Sequence, residues 1–427
     1  MTKDNPKTLL VRLFDAAVAA ADPLHCVPPH LPAPPVGGRT LVVGAGKASA
    51  VMAQAVEANW PADALDGLTG LVITRYGYAK PCQQIEIVEA AHPVPDQAGL
   101  DAARRMVDLV GGLGPDDLCL ALISGGASAL LTLSAAGLTL ADKQAVNQAL
   151  LRSGATITEM NCVRRHLSGI KGGRLARAAA PARLVSLLIS DVPGDDPGVI
   201  GSGPTVPDPT TFADARAIVE RHAMKLPAPA QALLTAGADE TPKPGDIAFA
   251  NSLVHMTARP AASLEAAEAV AKAAGYNVVV LGDALEGEAR DVAGEHAALA
   301  RAIRAGSGPV ATPAVVLSGG ELTVTMRGQG RGGPNGEYML AMAIALEGTE
   351  GIHAIACDTD GIDGSEDNAG ATIDPTTLAR AGEAGVDAAR HLADNDSYGF
   401  FSALGDLVVC GPTYTNVNDF RAFVVLS

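Results

Sequence analysis

The sequence predicts an α/β protein of two domains, each built on a mostly parallel sheet covered by helices. Three observations carry this. Units of apolar strand, glycine-bearing turn and helix recur along the chain with few hairpin signals, the grammar of parallel sheets with helices on both faces. The 427 residues exceed one ordinary hydrophobic core, so two domains are expected. Apolar residues make up 48% of the chain and aromatics only 3%. The cores must therefore be filled by Ala, Val, Leu and Ile, which suits strands buried on both faces beneath alanine-rich helices.

The elements follow in order. Residues 7–21 have helical periodicity, and the stretch PLHCVPPHLPAPP after them excludes regular helix or central strand. TLVVGAGKASAVMAQAVEA reads as strand, glycine turn and helix. LTGLVITR and QIEIVEA read as strands, 96–110 as a helix, and DLCLALISGGASALL as strand, turn and helix start. Thr139 caps a helix over LADKQAVNQALLRSG, a second helix covers 156–168, and RLVSLLISDVPGDD is a strand ending in an acidic loop. The polar segment 236–248, with two prolines and two glycines, marks a domain boundary. This gives a Rossmann-like first domain over 1–235 and a second α/β domain over 245–427. In the latter, helix 262–274, strand NVVVLG and helix 286–305 precede the strands AVVLSGGELTVTM and GIHAIACDTDGIDG. DLVVCGPTYTNVNDF closes the chain as strand, turn and a short last element.

Composition excludes several function classes. A formal net charge of −16 repels nucleic acid and anionic membrane. No run of eighteen apolar residues spans a bilayer, and no signal-peptide pattern opens the chain. The six cysteines never stand at CxxC spacing, which reads as reduced thiols in a cytoplasmic protein. The sequence leaves a homo-oligomer open.

The chemistry sits at strand ends. Gly44-Ala45-Gly46-Lys47, Ser124-Gly125-Gly126-Ala127-Ser128 and Ser318-Gly319-Gly320-Glu321 each follow an apolar strand. Glycines let backbone approach an anion, helix starts offer N–H groups, and Lys47 adds a cation. The first loop is no Walker A motif, which needs glycine at Leu41 and Ser or Thr at Ala48, and its dinucleotide fingerprint lacks the third glycine. Each loop by itself also fits a simple capped turn. Together they mark the strand edge where open α/β sheets bind ligands. Two acidic loops, SDVPGDD from Ser190 and DTDGIDG from Asp358, supply carboxylates suited to Mg²⁺ or to accepting a hydroxyl proton, or else are solvated turns. Arg164, Arg165, His166, Lys171 and Arg174 form a basic cluster, either an anion clamp or a solvated helix end. His92, in a proline-fixed loop, reads as structural.

VVGAGKASAVMA, AHPVPDQAGL, LISGGASALL, NCVRRHLSGIKGGRLA, LISDVPGDDPGVIGSGPTVPDPTTF, LEGEAR, LSGGELTV, DTDGIDGSEDNAG and GPTYTNVNDF, in this order over residues 8–425, together resemble the bacterial and archaeal glycerate 2-kinases, whose C-terminal portion is called the MOFRL domain. The resemblance implies an ATP- and Mg²⁺-dependent kinase acting on the 2-hydroxyl of D-glycerate, with the site in a cleft between two α/β domains. It implies Lys47 as the essential lysine. Asp191, or an acid of the 358–363 loop, binds Mg²⁺ or orients the hydroxyl in catalysis, with Asp191, Asp358 and Asp360 as the metal candidates, and Arg165, Lys171 or Arg331 is left to grip the substrate carboxylate. Gly44, Gly46, Ser124, Gly125, Gly126, Ser128, Ser318, Gly319, Gly320, Glu321 and Asn335 fall to the nucleotide, and Arg165, Lys171, Ser202 and Asn416 to the substrate. The chain departs from the family pattern where GGRNQE is usual. Here Gly332-Gly333-Pro334-Asn335-Gly336-Glu337 lacks the arginine and glutamine, and Arg331 is the nearest cation. Ala127 stands where a third glycine is frequent. Two other functions compete: an NAD(P)H-dependent hydroxypyruvate reductase, a name often borne in this family, and a non-catalytic binding protein.

Overall fold

The computed structural model describes residues 5–427. Its contacts divide the described residues into two compact units, one of residues 23–257 and one joining residues 5–22 to 258–427.

The unit 23–257 is built on strands β1 (Thr40–Ala45), β2 (Leu68–Arg75), β3 (Ile85–Ala90), β4 (Leu118–Ile123), β5 (Arg183–Ile189) and β6 (Ser252–Ala258), the last reaching one residue past the division. They lie in the order β3-β2-β1-β4-β5-β6, and β1 to β5 pair in parallel. Every residue of β1 and β4 is buried, as strands covered on both faces require. Val43, Ala121, Ile123 and Leu188 meet Ala103 and Met106 of the helix Gln97–Val110 in the core. A second cluster joins four helices, Leu140–Arg152, Ile157–His166, Phe212–Arg221 and Ala228–Ala236, through Val146, Leu150, Val163, Phe212 and Leu234. Thr139, Thr156 and Thr211 each close a capping box, which satisfies orphan N–H groups at three of these helix starts.

The boundary differs from the one expected at 236–248. The chain goes on into β6, whose Thr257 hydroxyl donates to Leu188 O at 3.0 Å. As an edge strand that is mostly half-exposed, β6 lacks the apolar run that would announce it.

The other unit carries β7 (Asn277–Val280), β8 (Gly287–Glu288), β9 (Ala314–Ser318), β10 (Leu322–Thr323), β11 (Ile352–Asp358), β12 (Gly370–Ile373), β13 (Leu407–Val408) and β14 (Asp419–Val425). Its main sheet runs β13-β12-β11-β14-β9-β7, with β8 and β10 forming a small parallel ladder apart. The expectation of a mostly parallel sheet fails here. Only β7 and β9 are parallel, and the other four pairs are antiparallel. Connectivity accounts for the pair β11–β12. A parallel neighbour needs a crossover, usually a helix, whereas β11 returns to β12 through the acidic loop alone. The short last element is in fact β14, seven residues buried throughout. Helices Ala289–Arg304 and Pro334–Leu346 cover one face. Helices Pro260–Ala273 and Pro6–Ala20 belong to the other core, where Leu9, Leu10, Leu13 and Phe14 meet Leu264, Ile355, Phe420 and Val424. The N-terminal helix thus packs with the C-terminal strands, not in the first domain as expected.

Candidate functional site

In the unit 23–257 the strand order reverses between β1 and β4, the switch point at which open α/β sheets bind ligands. The turns after these two strands are laced together. Lys47 N–H donates to Gly125 O at 2.8 Å, Ser124 N–H to Ala45 O at 3.1 Å and Ala48 N–H to Ser124 Oγ at 3.0 Å. Gly46 N–H goes to Ile73 O at 3.1 Å. A side chain on Gly46 would meet Ser124 Oγ at 2.1 Å, so only glycine allows this lacing. Gly44 lies inside β1, where a Cβ would meet Leu122 O at 2.1 Å. The N–H groups of residues 46–48 and the Ser124 hydroxyl are therefore spent on building the turn. Those of Gly125 and Gly126 donate to no acceptor among the described residues. Beside them a Cβ placed on Gly126, at φ 83°, would lie 3.2 Å from the His92 ring and 3.3 Å from Lys47 Cγ. Lys47, two open N–H groups and His92 converge there from the ends of β1, β4 and β3.

The polar ground continues from this turn. Ser128 Oγ lies 2.9 Å from Ser202 Oγ, which donates to Asn161 Oδ1 at 3.2 Å. Arg164 donates to the same Asn161 oxygen at 3.2 Å, and Lys171 Nζ to Gly201 O at 3.5 Å. Arg165 does not join them. It is buried against Asp208 at 3.4 Å. His166 is also structural, bonded to Cys162 O and Glu240. Lys143, which the sequence reading passed over, is buried in the helix Leu140–Arg152. Desolvation, then the Arg164 charge, lowers its pKa to about 8. Lys171 is driven well below the usual lysine range by desolvation, then by Lys143 and Arg164. Lys143 carried a signal, since it shares one helical stripe with the core residues Val146 and Leu150. Asp191 is half-buried just after β5.

In the other unit the predicted residues meet a buried network. Asn335 donates through Nδ2 to Asp419 Oδ1 at 2.7 Å and to Asp363 Oδ1 at 3.3 Å. Asp363 also accepts the N–H groups of Asn335 at 3.0 Å and Gly336 at 2.7 Å, capping the helix Pro334–Leu346. Burial raises its pKa to about 7. Arg421 pairs with Asp419 at 3.1 Å and donates to Ser318 Oγ at 3.4 Å and Gly320 O at 3.2 Å. Ser318, Gly319 and Gly320 are thereby held to β14, and Gly319 N–H is taken by Gly282 O. Asp358 Oδ1 and Asp360 Oδ1 each accept a turn N–H. Asn416 Oδ1 takes that of Asn418. Glu321 is exposed beyond this turn. Arg331 is also exposed, paired with Glu366 at 3.3 Å and stacked over Tyr398. Asp363, Asp419 and Arg421 were missed as a set, although an arginine inside the apolar run DFRAFVV is a visible anomaly.

Comparison with known proteins identifies the family. A family model described as a domain of unknown function, DUF4147, matches residues 9–235, and the MOFRL family model matches 314–419. D-glycerate 2-kinase of Thermotoga maritima is 37% identical over 97% of both chains. The chain belongs to the glycerate 2-kinase family. A crystal structure of glycerate kinase from Thermotoga maritima superposes with a TM-score of 0.88 at 35% identity, covering 98% of this chain and 99% of that one. An Agrobacterium vitis protein that is 56% identical, over 98% of this chain and 94% of its own length, carries a hydroxypyruvate reductase name. The departure from the family's GGRNQE has a local explanation. Pro334 is the first residue of its helix, where a missing N–H costs nothing. A Cβ on Gly336 would meet Ser397 Oγ at 2.6 Å.

Proposed function

We propose that the chain transfers the terminal phosphoryl group of ATP to the 2-hydroxyl of D-glycerate, giving 2-phosphoglycerate and ADP. The observation that carries this is the switch-point turn, with Lys47 beside the open N–H groups of Gly125 and Gly126, in a chain of this family. Phosphoryl transfer asks the protein for positioning and charge stabilisation rather than covalent chemistry. Lys47 neutralises charge on the transferring group, and the two N–H groups orient phosphate oxygens. Ser128, Ser202 and Lys171 face the acceptor, and Asp191 stands ready to take the hydroxyl's proton.

Mg²⁺ carried by the nucleotide would screen the phosphates, and it asks for only one or two carboxylates. Asp191 in the one unit, and Asp358 or Asp360 in the other, are each a carboxylate that would meet that demand. No group of three or more metal-binding side chains is gathered among the described residues. Arg331 is available to the reaction at small expense, since an exposed pair such as Arg331–Glu366 contributes under about 1 kcal/mol. The six cysteines are free, in keeping with a cytoplasmic enzyme.

The reductase reading has the name of a close relative in its favour. The turn opposes it. Ser49 stands where a dinucleotide fingerprint from Gly44 needs its third glycine, and its hydroxyl is tied to Gly46 O at 2.7 Å and Ile73 O at 2.9 Å. Incubation with ATP, Mg²⁺ and D-glycerate should form ADP, with the phosphate on C2 by phosphorus NMR. Oxidation of NADH by hydroxypyruvate, with no ADP formed from glycerate, would reverse the choice.

A further inference from the structure

The basic residues of the unit 23–257 fall into two groups. Arg165 is paired with Asp208, Arg174 and Arg177 with Asp239, and Lys243 with Glu240. Lys143, Arg164 and Lys171 have no ion pair among the described residues, although the two lysines are only 6% and 1% exposed. A buried charge without a counter-charge is expensive, and burial first, then the neighbouring cations, disfavours the charged form of both lysines. The neighbouring carboxylate is already engaged. Asp208 accepts from Thr210 at 2.6 Å and Thr241 at 3.1 Å besides holding Arg165. What reaches Arg164 and Lys171 is neutral: the Asn161 side chain for Arg164 and the Gly201 carbonyl for Lys171. Asn161 Oδ1 receives both Arg164 and Ser202, and Ser202 touches Ser128. Ser202 itself sits at φ 63°, between Gly201 at φ 60° and Gly203 at φ 61°. That conformation is strained for a residue with a side chain, and such strain persists where the position serves a site. Unpaired cations next to two serine hydroxyls complement a small hydroxy acid, with its carboxylate on the cations and its hydroxyls toward the serines.

We propose that Lys143, Arg164 and Lys171 anchor the carboxylate of the acceptor, that Ser128 and Ser202 receive its hydroxyls, and that Lys143, not Arg165, makes the enzyme prefer an acid over an uncharged polyol. The proposal rests on the kinase reading for turnover, and binding tests it separately. The variants are Lys143→Met, which keeps the volume, and Arg164→Gln at a half-buried position.

Each variant should raise KM for D-glycerate roughly ten- to a hundredfold, the scale of one charge-assisted hydrogen bond. KM for ATP should stay within twofold. The ratio of kcat/KM for D-glycerate over glycerol should fall by a similar factor, and the unfolding midpoint of Lys143→Met should not drop. Calorimetry with D-glycerate, and separately with ADP, should show glycerate binding lost and ADP binding kept. If KM for glycerate and its binding are unchanged in both variants, or if ATP and ADP are affected instead, the assignment is overturned. A parent protein that binds D-glycerate but forms no ADP sinks the kinase reading and leaves the anchor standing. A parent that binds no glycerate sinks the anchor.

Discussion

Lys143→Met should make the protein more stable. The lysine pKa falls from its ordinary 10.5 to about 8 in the folded chain, so folding disfavours the ammonium. Below pH 8 both folded and unfolded chains hold the proton, and the penalty is complete, about 3 kcal/mol. Between pH 8 and 10.5 the unfolded chain binds the proton more tightly, so the parent gains stability as pH rises. By pH 10 the penalty has shrunk to under about 1 kcal/mol. Methionine carries no charge at any pH and refills the same space. The variant should therefore exceed the parent by up to about 3 kcal/mol at pH 7, and the gap should close toward pH 10. The single tryptophan, Trp60, is buried in the unit 23–257, so its fluorescence in a urea titration follows the unit that holds Lys143. A variant no more stable than the parent at pH 7, or a gap that does not narrow at high pH, would refute an uncompensated buried charge.

Other outcomes follow from the same geometry. Lys47→Ala should lower kcat by at least about a hundredfold, as expected for one preorganised charge contact, with an unchanged unfolding midpoint; near-normal turnover would remove Lys47 from the mechanism. Arg331→Ala should lower kcat/KM for glycerate roughly tenfold or more without loss of stability, because its folded-state partner is a surface carboxylate; steady-state kinetics with each substrate varied shows which one it serves. Gly336→Ala should destabilise by roughly 1–3 kcal/mol, since its Cβ needs the space held by Ser397 Oγ; calorimetric unfolding checks this, and a neutral result would mean that Ser397 yields.

The first sheet was legible because β1 and β4 are buried at every position, and such strands must read as unbroken apolar runs. The same property hid the direction of the second sheet. IHAIACD and DFRAFVV are buried on nearly every residue, and burial on both faces erases the alternation that distinguishes antiparallel strands. The glycine turns were legible as places, but their duties were not. Gly44 and Gly46 proved to admit neighbouring backbone and side chain, while Gly125 and Gly126 keep their N–H groups open. The acids of the loop after β11 are alike in sequence, yet Asp363 caps a buried helix while Glu366 meets Arg331 on the surface. That difference is made by residues 331–336, distant in sequence, and local composition does not carry it.

The packing of the helix Pro6–Ala20 against Leu264, Phe420 and Val424 sets an order on synthesis. This helix is made before the unit 23–257, but the residues that cover its apolar stripe, from Leu264 to Val424, are made after it. The chain of 23–257 holds its own core partners and can complete its fold while the remainder is still being translated. The amphipathic segment 6–20 must meanwhile wait in the crowded cell, its leucines uncovered, until β14 emerges and closes over it. Long loop closures of this kind are slow, so nascent-chain handling matters most at residues 9–17.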